Sequence, residues 1–229
     1  MGHSAERASI TTTVASILLL ALSLLGPVAT IAQEAKCPFA GKRPPIAEIL
    51  KKSASQRPLL CKANLAGTSL AGADLNGADL TGANLKGSNL AKINLKRARL
   101  EGAEIAGAHL GKANLNGARL AGADLGGANL AEADLAGADL TKVDLAGAAL
   151  TGADLTGANL TSAKLNNANL KSAKLSNANL SNTNVTEAYF GSARLESVNL
   201  TSVKGITCDQ VRAAKTDRST KLPNGMRCG

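Results

Sequence analysis

The amino-acid sequence predicts a solenoid, a chain that turns once in every five residues around one narrow apolar core. Three observations carry that expectation. Leucine recurs at 65, 70, 75 and onward to 200, giving 28 centres without one insertion; only Ile105, Val185 and Phe190 depart from it. Alanine fills 22 of the 28 positions two before a centre, the departures being Thr68, Ser88, Ile93, Val143, Thr183 and Val198. The 229 residues are 45% hydrophobic yet hold only three aromatics, Phe39, Tyr189 and Phe190. The volume that large rings ordinarily fill must therefore be filled another way. Such self-similarity outranks any residue-by-residue reading.

A period of five suits neither regular element. On a helix, at about 100° per residue, successive leucines would be offset by about 140° and would share no face. On a flat strand an odd period alternates faces. Either choice exposes half the leucines, so the chain must turn in every unit, with leucine and alanine inward and three residues outward. Glycine two after the centre, as at Gly67, Gly72, Gly77, Gly82 and Gly87, suits such a tight turn. Alanine limits the interior width, which predicts a leucine-filled lumen with no room for rings.

Before the repeat, residues 14 to 25 form an apolar run of 12, VASILLLALSLL, after a weakly basic start with Arg7 and before Pro27. At about 1.5 Å per residue the run reaches about 18 Å, too short for a hydrocarbon core of about 30 Å. Thr30 and Ala32 are the small residues a signal peptidase reads, which places cleavage after Ala32 and starts the mature chain at Gln33. The alternative is an uncleaved anchor. Lys36 before Cys37 argues against a lipid-modified cysteine, and on this reading no transmembrane anchor is left after cleavage.

Export would put Cys37, Cys61, Cys208 and Cys228 in an oxidising compartment, where an even count reads as disulfides. Their spacing does not match zinc ligation by close pairs. Four cysteines allow three connectivities.

The repeat is flanked by segments suited to closing a solenoid's open ends. Pro45, then Ile46, Ile49 and Leu50 at helical spacing, then Pro58, reads as a short helix. Thr207-Cys208-Asp209-Gln210 has the capping-box pattern, with Val211 and Ala214 on one face, and Leu222-Pro223-Asn224-Gly225 reads as a turn. The organisation is a signal peptide over 1–32, an N-terminal cap over 33–62, repeats over 63–203 and a C-terminal cap over 204–229.

Units such as Ala73-Asp74-Leu75-Asn76-Gly77 and Ala83-Asn84-Leu85-Lys86-Gly87 resemble the A(D/N)LXX motif of the pentapeptide-repeat family, over residues 62 to about 203. The resemblance implies an all-β fold, a right-handed quadrilateral β-helix with four units per coil. Twenty-eight units make about seven coils, about 34 Å tall at the strand spacing. Leu65, Leu85, Ile105, Leu125, Leu145, Leu165 and Val185 then form one column of the core. The same architecture puts Cys61 and Cys208 at opposite ends and implies the pairs Cys37 with Cys61 and Cys208 with Cys228, since bonded cysteines need Cα atoms within about 7 Å. Cap helices in the family can also mediate dimers, so the resemblance allows a monomer or a homodimer through a cap.

No catalytic constellation emerges from the residues, and no cofactor is expected. His109 is the only histidine of the mature chain and stands at an outward position; P-loop and Rossmann fingerprints are missing, the glycines following the period of five. Residues 20 apart stack, giving one row of Asn64, Asn84, Glu104, Asp124, Asp144, Lys164 and Asn184. The Glu104, Asp124 and Asp144 carboxylates raise a cation site as a question, although calcium wants six to eight oxygens. A solvated charged face is the simpler reading. Arg99 and Arg119, near Lys96 and Arg97, form a basic patch without interleaved aromatics, a weak nucleic-acid signal. Lys164, Lys171, Lys174 and Arg194 form a second cationic zone.

The net charge of +9 localises sharply. Residues 33–62 carry seven basic and two acidic side chains, residues 201–229 six and two, and residues 63–200 twelve of each. The basic balance is confined to the ends, which points to anionic envelope polymers or membrane headgroups rather than nucleic acid. The sequence reading is an exported, periplasmic or secreted, non-enzymatic scaffold that offers rod walls and basic ends to a protein or an anionic envelope surface. Two alternatives belong to other classes. A DNA-mimicking gyrase modulator, the activity best known in the resembling family, would need an acidic face; a β-helical glycan-acting enzyme would need long loops to build a groove.

Overall fold

Through most of the repeat, the outward residue just before a centre lies one rung below the residue 20 positions later, and this relation generates the architecture. The computed structural model describes residues 37–51 and 59–228; the leader, its cleavage site at Ala32 and Pro58 lie outside them. Parallel bridges run Asn64 to Asn84, Glu104, Asp124, Asp144, Lys164, Asn184 and Lys204, with equivalent columns beginning at Ser69, Asp74 and Leu59. Four columns at a spacing of 20 give four walls per coil, the quadrilateral β-helix. The ladder already includes Leu59, bridged to Asp79, with Leu60 buried behind it. Phe39–Gly229 forms one compact unit.

Each rung is two residues long, and its hydrogen bonds repeat along the whole stack. The Leu125 N–H donates to the Asp144 carbonyl at 2.7 Å, and the Asp124 N–H to the Ala103 carbonyl at 2.9 Å. At the corner, the Gly127 N–H reaches the Ala146 carbonyl at 2.9 Å, and the Ala128 N–H closes a turn onto the Leu125 carbonyl at 3.0 Å. Four of the five backbone donors in a unit are thus satisfied by backbone.

The corner demands a left-handed residue. All positions two after a centre, from Lys62 to Ser197, have φ between 54° and 68°. Glycine takes that conformation without a Cβ penalty, yet 14 of these corners carry other residues, and from Ser162 to Ser197 none is glycine. Asn167, Asn177 and Asn182 belong to the residue type that tolerates left-handed backbone best after glycine.

Inside the walls, leucine and alanine are buried with scarcely any exposure. Leu65, Leu85, Ile105, Leu125, Leu145, Leu165 and Val185 are all at most 1% exposed. Burying a leucine contributes about 1.5–3 kcal/mol, so the stack is held chiefly by its apolar columns. The expectation that rings have no place in the lumen fails at one residue. Phe190 is buried to 1%; it is the last centre of its column, where no leucine of a further unit competes for the volume. Three polar side chains enter the core in place of alanine, and each hydroxyl finds a carbonyl: Thr68 donates to Leu65 at 2.7 Å, Ser88 to Leu85 at 2.6 Å, and Thr183 to Leu160 at 2.7 Å.

Flanking segments pair with both ends of the ladder. At the first, Ala40 bridges Ala63 in antiparallel fashion, the Gly41 N–H donates to the Lys62 carbonyl at 2.7 Å, and the Asn64 N–H donates to the Lys42 carbonyl at 2.9 Å. Helix α1 (Ile46–Lys51) follows, with Ile49 buried in the core and Ile46 packed against it. At the other end, helix α2 (Cys208–Ala213) starts from an N-cap at Thr207 and buries Val211. The capping box read from the sequence is present: Thr207 accepts from the Gln210 N–H, and the Gln210 side chain accepts from the Thr207 N–H at 2.8 Å. The chain then returns to the ladder, Lys215 bridging Arg194 and Lys221 bridging Asn199. Beyond it the Met226 N–H donates to the Pro223 carbonyl at 3.0 Å, closing the expected turn, with Gly225 left-handed at φ 80°.

Candidate interaction surfaces

The walls are built from the one backbone donor the ladder leaves over. The N–H one residue after each centre has no carbonyl opposite it, and the side chain two positions earlier supplies the acceptor. Asp124 Oδ1 accepts from the Gly126 N–H at 3.0 Å, and Asn129 Oδ1 from the Ala131 N–H at 3.0 Å. Wherever asparagine or aspartate precedes a centre, from Asn64 to Asn199, this turn forms. Asn/Asp at that position therefore serves the backbone, through the shortest side chains that carry the oxygen. The sequence displayed this signal as the D/N of the motif, but periodicity alone does not tell a local acceptor from a surface charge.

Several of the remaining charges pair along and across the columns. Lys86 Nζ lies 2.8 Å from Glu104 Oε2, and Lys164 Nζ lies 2.9 Å from Asp144 Oδ2. The carboxylate row of Glu104, Asp124 and Asp144 is thus bracketed by two ammonium groups. Its Asp124 is occupied by the Gly126 turn. Hydrogen bonding and charge attraction from Glu104 hold the Lys86 pKa above its ordinary value, and the same effects from Asp144 raise that of Lys164. At Asp144 burial pushes the carboxyl upward, but the Lys164 hydrogen bond, the Ala146 N–H and the Lys164 charge outweigh it, leaving the group below the usual range. Asp154 follows the same pattern, with Thr156 and Lys174 as its partners. Among the described residues, no group of three or more His, Cys, Asp or Glu is arranged to hold a metal ion.

The two cationic zones read from the sequence are partly neutralised. Arg119 Nε sits 2.8 Å from Glu101, and Arg99 lies 3.7 Å from both Glu101 and Asp79. In the second zone Lys164 pairs with Asp144, Lys174 with Asp154 at 3.0 Å, and Arg194 with Glu196 at 3.2 Å. Partners 18 or 20 residues away, such as Glu101 for Arg119 and Asp154 for Lys174, lie out of sight in linear order. His109 stands exposed between Asn89 and Asn129 on its wall.

The C-terminal end differs from the walls. Lys204, Lys215, Arg218, Lys221 and Arg227 are all exposed and form no ion pair among the described residues. Of the two acidic residues there, Asp209 pairs with Arg212 at 2.6 Å. Asp217 is spent on closure: it accepts the Ser197 N–H at 3.1 Å, the Ser219 N–H at 3.1 Å and the Thr220 N–H at 2.9 Å. The Ser197 N–H, then the Ser219 and Thr220 groups, hold its carboxyl far below the usual range. Cys208 and Cys228 are joined by a disulfide with Cα atoms 5.1 Å apart, and Cys37 and Cys61 are disulfide-bonded as well. The two bridges fit the disulfide-bonded caps implied above. No helix among the described residues is long and apolar enough to cross a membrane.

A four-walled coil of A(D/N)L units, in which each Asn or Asp closes its own turn, defines a class, the solenoids built from five-residue units. The family model described as pentapeptide repeats matches in 8 copies, spanning among others residues 60–97, 93–130, 128–167 and 163–201, and the chain belongs to the pentapeptide-repeat family. The chain is similar to the crystal structure of HetL, a pentapeptide repeat protein involved in heterocyst differentiation regulation from the cyanobacterium Nostoc sp. strain PCC 7120. That match has 31% identity over 73% of this chain and 84% of that one, with a TM-score of 0.25. It is similar also to QnrB1, a plasmid-mediated fluoroquinolone resistance protein, at 18% identity over 70% and 90% of the two chains with a TM-score of 0.40. A pentapeptide repeat protein from the Arabidopsis thaliana thylakoid lumen shares 28% identity over 54% and 69%, with a TM-score of 0.19. No curated protein matches the chain. Proteins of this family are generally non-enzymatic.

Proposed function

We propose that the protein is an exported, non-enzymatic scaffold: a rod of about seven coils, closed by helical caps, that offers its walls and basic ends to a protein or an anionic envelope partner in the periplasm or outside the cell. The observation that carries this reading is how the outward side chains are used. They complete the backbone through the Asn/Asp turns and neutralise one another through the ladders, and the units run from 60 to 201 without an inserted loop on which a cleft could be built. Such a surface presents a fixed pattern of groups at a fixed spacing, which suits recognition rather than turnover. The short apolar run before Pro27 and four oxidised cysteines support export.

The reading is tested by capture from an envelope fraction with the tagged, oxidised protein as bait. A partner retained by this chain, but not by a variant with wall substitutions such as Asn89→Ala and Asn129→Ala, supports a recognition role. Turnover of an envelope glycan by the purified protein, abolished in Asp124→Ala, contradicts it.

A further inference from the structure

The ladder ends on lysine. Above Asn184 stands Lys204, above Arg194 stands Lys215, and above Asn199 stands Lys221, each bridged to the residue below it. Three of the four columns therefore terminate in an exposed ammonium-bearing side chain. Helix α2 follows the fourth column, where the Ser192 N–H donates to the Ala213 carbonyl at 2.7 Å. Arg218 and Arg227, both exposed, lie in the segments that follow. Asp217, the acidic side chain next to Arg218, accepts the N–H groups of Ser197, Ser219 and Thr220 at Oδ1 and forms no ion pair with these cations.

On the walls many cations meet a carboxylate, whereas none of these five does among the described residues. The lysines are distributed around the perimeter of a square end rather than along one line. A linear polymer lying on that end follows one side of it, whereas a plane of negative charge laid across the end meets every column. Flexible four-carbon stems let the ammonium groups reach a common plane. Of the large hydrophobic side chains exposed among the described residues, Leu59 stands on the first rung and Tyr189 is the last bridged residue of the fourth column.

We infer that the C-terminal end of the rod, through Lys204, Lys215 and Lys221 with Arg218 and Arg227, docks the protein end-on to a bilayer surface rich in anionic phospholipid headgroups. The contact is electrostatic and reversible, with the rod held away from the surface. It rests on the scaffold reading above and names one partner of that scaffold. Each cation near such a surface is worth about a fivefold gain in binding, and the attraction fades beyond about 8 Å at physiological salt.

The test is sedimentation of the oxidised chain lacking residues 1–32, whose core lies wholly within Phe39–Gly229, with vesicles of phosphatidylglycerol and phosphatidylcholine or of phosphatidylcholine alone. Binding to the anionic vesicles only, lost in 0.5 M salt, is expected. The Lys204→Ala, Lys215→Ala, Lys221→Ala variant should bind about a hundredfold more weakly. A variant of equal net charge, Lys92→Ala, Lys96→Ala, Lys142→Ala on the walls, should bind within about twofold of the parent, and free glycerol phosphate at millimolar concentration should not compete. Equal losses in the two triple variants overturn the proposal, as does failure to bind anionic vesicles or lysine-dependent binding to a soluble polyanion without vesicle binding. None of those failures touches the scaffold reading, which stands on capture of a partner.

Discussion

Gln210 Nε2 lies 2.8 Å from the carbonyl oxygen of Ala188, and this contact joins the C-terminal helix to the last coil of the solenoid. The same amide donates to the Val185 carbonyl at 2.9 Å, while its oxygen accepts the Thr207 N–H at 2.8 Å. One side chain thus caps the helix and satisfies two carbonyls at the corner of the last coil.

Gln210→Ala should therefore destabilise the cap by about 1–3 kcal/mol, losing the capping box and leaving two carbonyls without this donor. Gln210→Glu keeps an acceptor for Thr207 but sets an anion against the Val185 and Ala188 carbonyls. It should be worse than alanine. Denaturant midpoints, together with faster amide exchange at Val211, whose N–H donates to the Thr207 carbonyl at 3.1 Å, would show that order. A milder effect in the glutamate variant would mean that donation to the coil carries no weight.

The Asn/Asp turns make a prediction in both directions. Asn129→Ala removes the acceptor of the Ala131 N–H and should cost about 0.5–1.5 kcal/mol. Ala149 occupies the same register between Asn129 and Asn169, so Ala149→Asn should recover a similar amount by engaging the Thr151 N–H. Paired thermal melts check this. If Asn129→Ala leaves the midpoint unchanged, the turn is decorative.

Left-handed corners should respond according to residue type. Gly127 has φ 63° and nothing within 4 Å of the position a Cβ would take, so Gly127→Ala should cost about 1 kcal/mol from backbone conformation alone. Ser172, at φ 56°, already bears that cost. Ser172→Gly should be stabilising by up to about 1 kcal/mol, and melts of the two variants should move in opposite directions.

Acid should loosen the fold from the carboxylates that the native state depresses. Asp144, Asp154 and Asp217 sit below their ordinary values, so the stability they contribute is fully present above the unfolded carboxylate value of about 3.9 and is lost as pH falls through their folded values. The raised Lys86 and Lys164 act oppositely, losing their contribution only as pH rises beyond the ordinary lysine range. The thermal midpoint should be level between about pH 5 and 8 and fall below about pH 4. Asp217→Asn should lower the neutral plateau and flatten the acid limb; an acid limb identical to that of the parent would exclude Asp217 as a contributor.

Much of this was legible because burial has a period. Leucine at every fifth position admits only a chain that turns in each unit, and Thr207 with Gln210 spelled out the C-terminal helix start. What escaped the sequence depends on register across 20 residues or on a broken period. The pairing of Arg119 with Glu101 and of Lys174 with Asp154 follows only once the coil is closed. The return of Lys215 and Lys221 to the ladder is hidden by a broken period, for they stand 21 and 22 residues beyond their partners, after α2. Phe190 violated the expectation of a ringless lumen because a column's last centre is not confined like its middle. The left-handed backbone at Lys92, Glu132 or Ser162 carried no glycine to announce it.

The most direct test of an exported, disulfide-capped solenoid is cell fractionation followed by intact-mass analysis of the isolated protein. A chain beginning at Gln33, recovered from the envelope or medium and lighter than its reduced form by four hydrogens, is the expected result. A full-length, fully reduced chain confined to the cytoplasm would contradict the account.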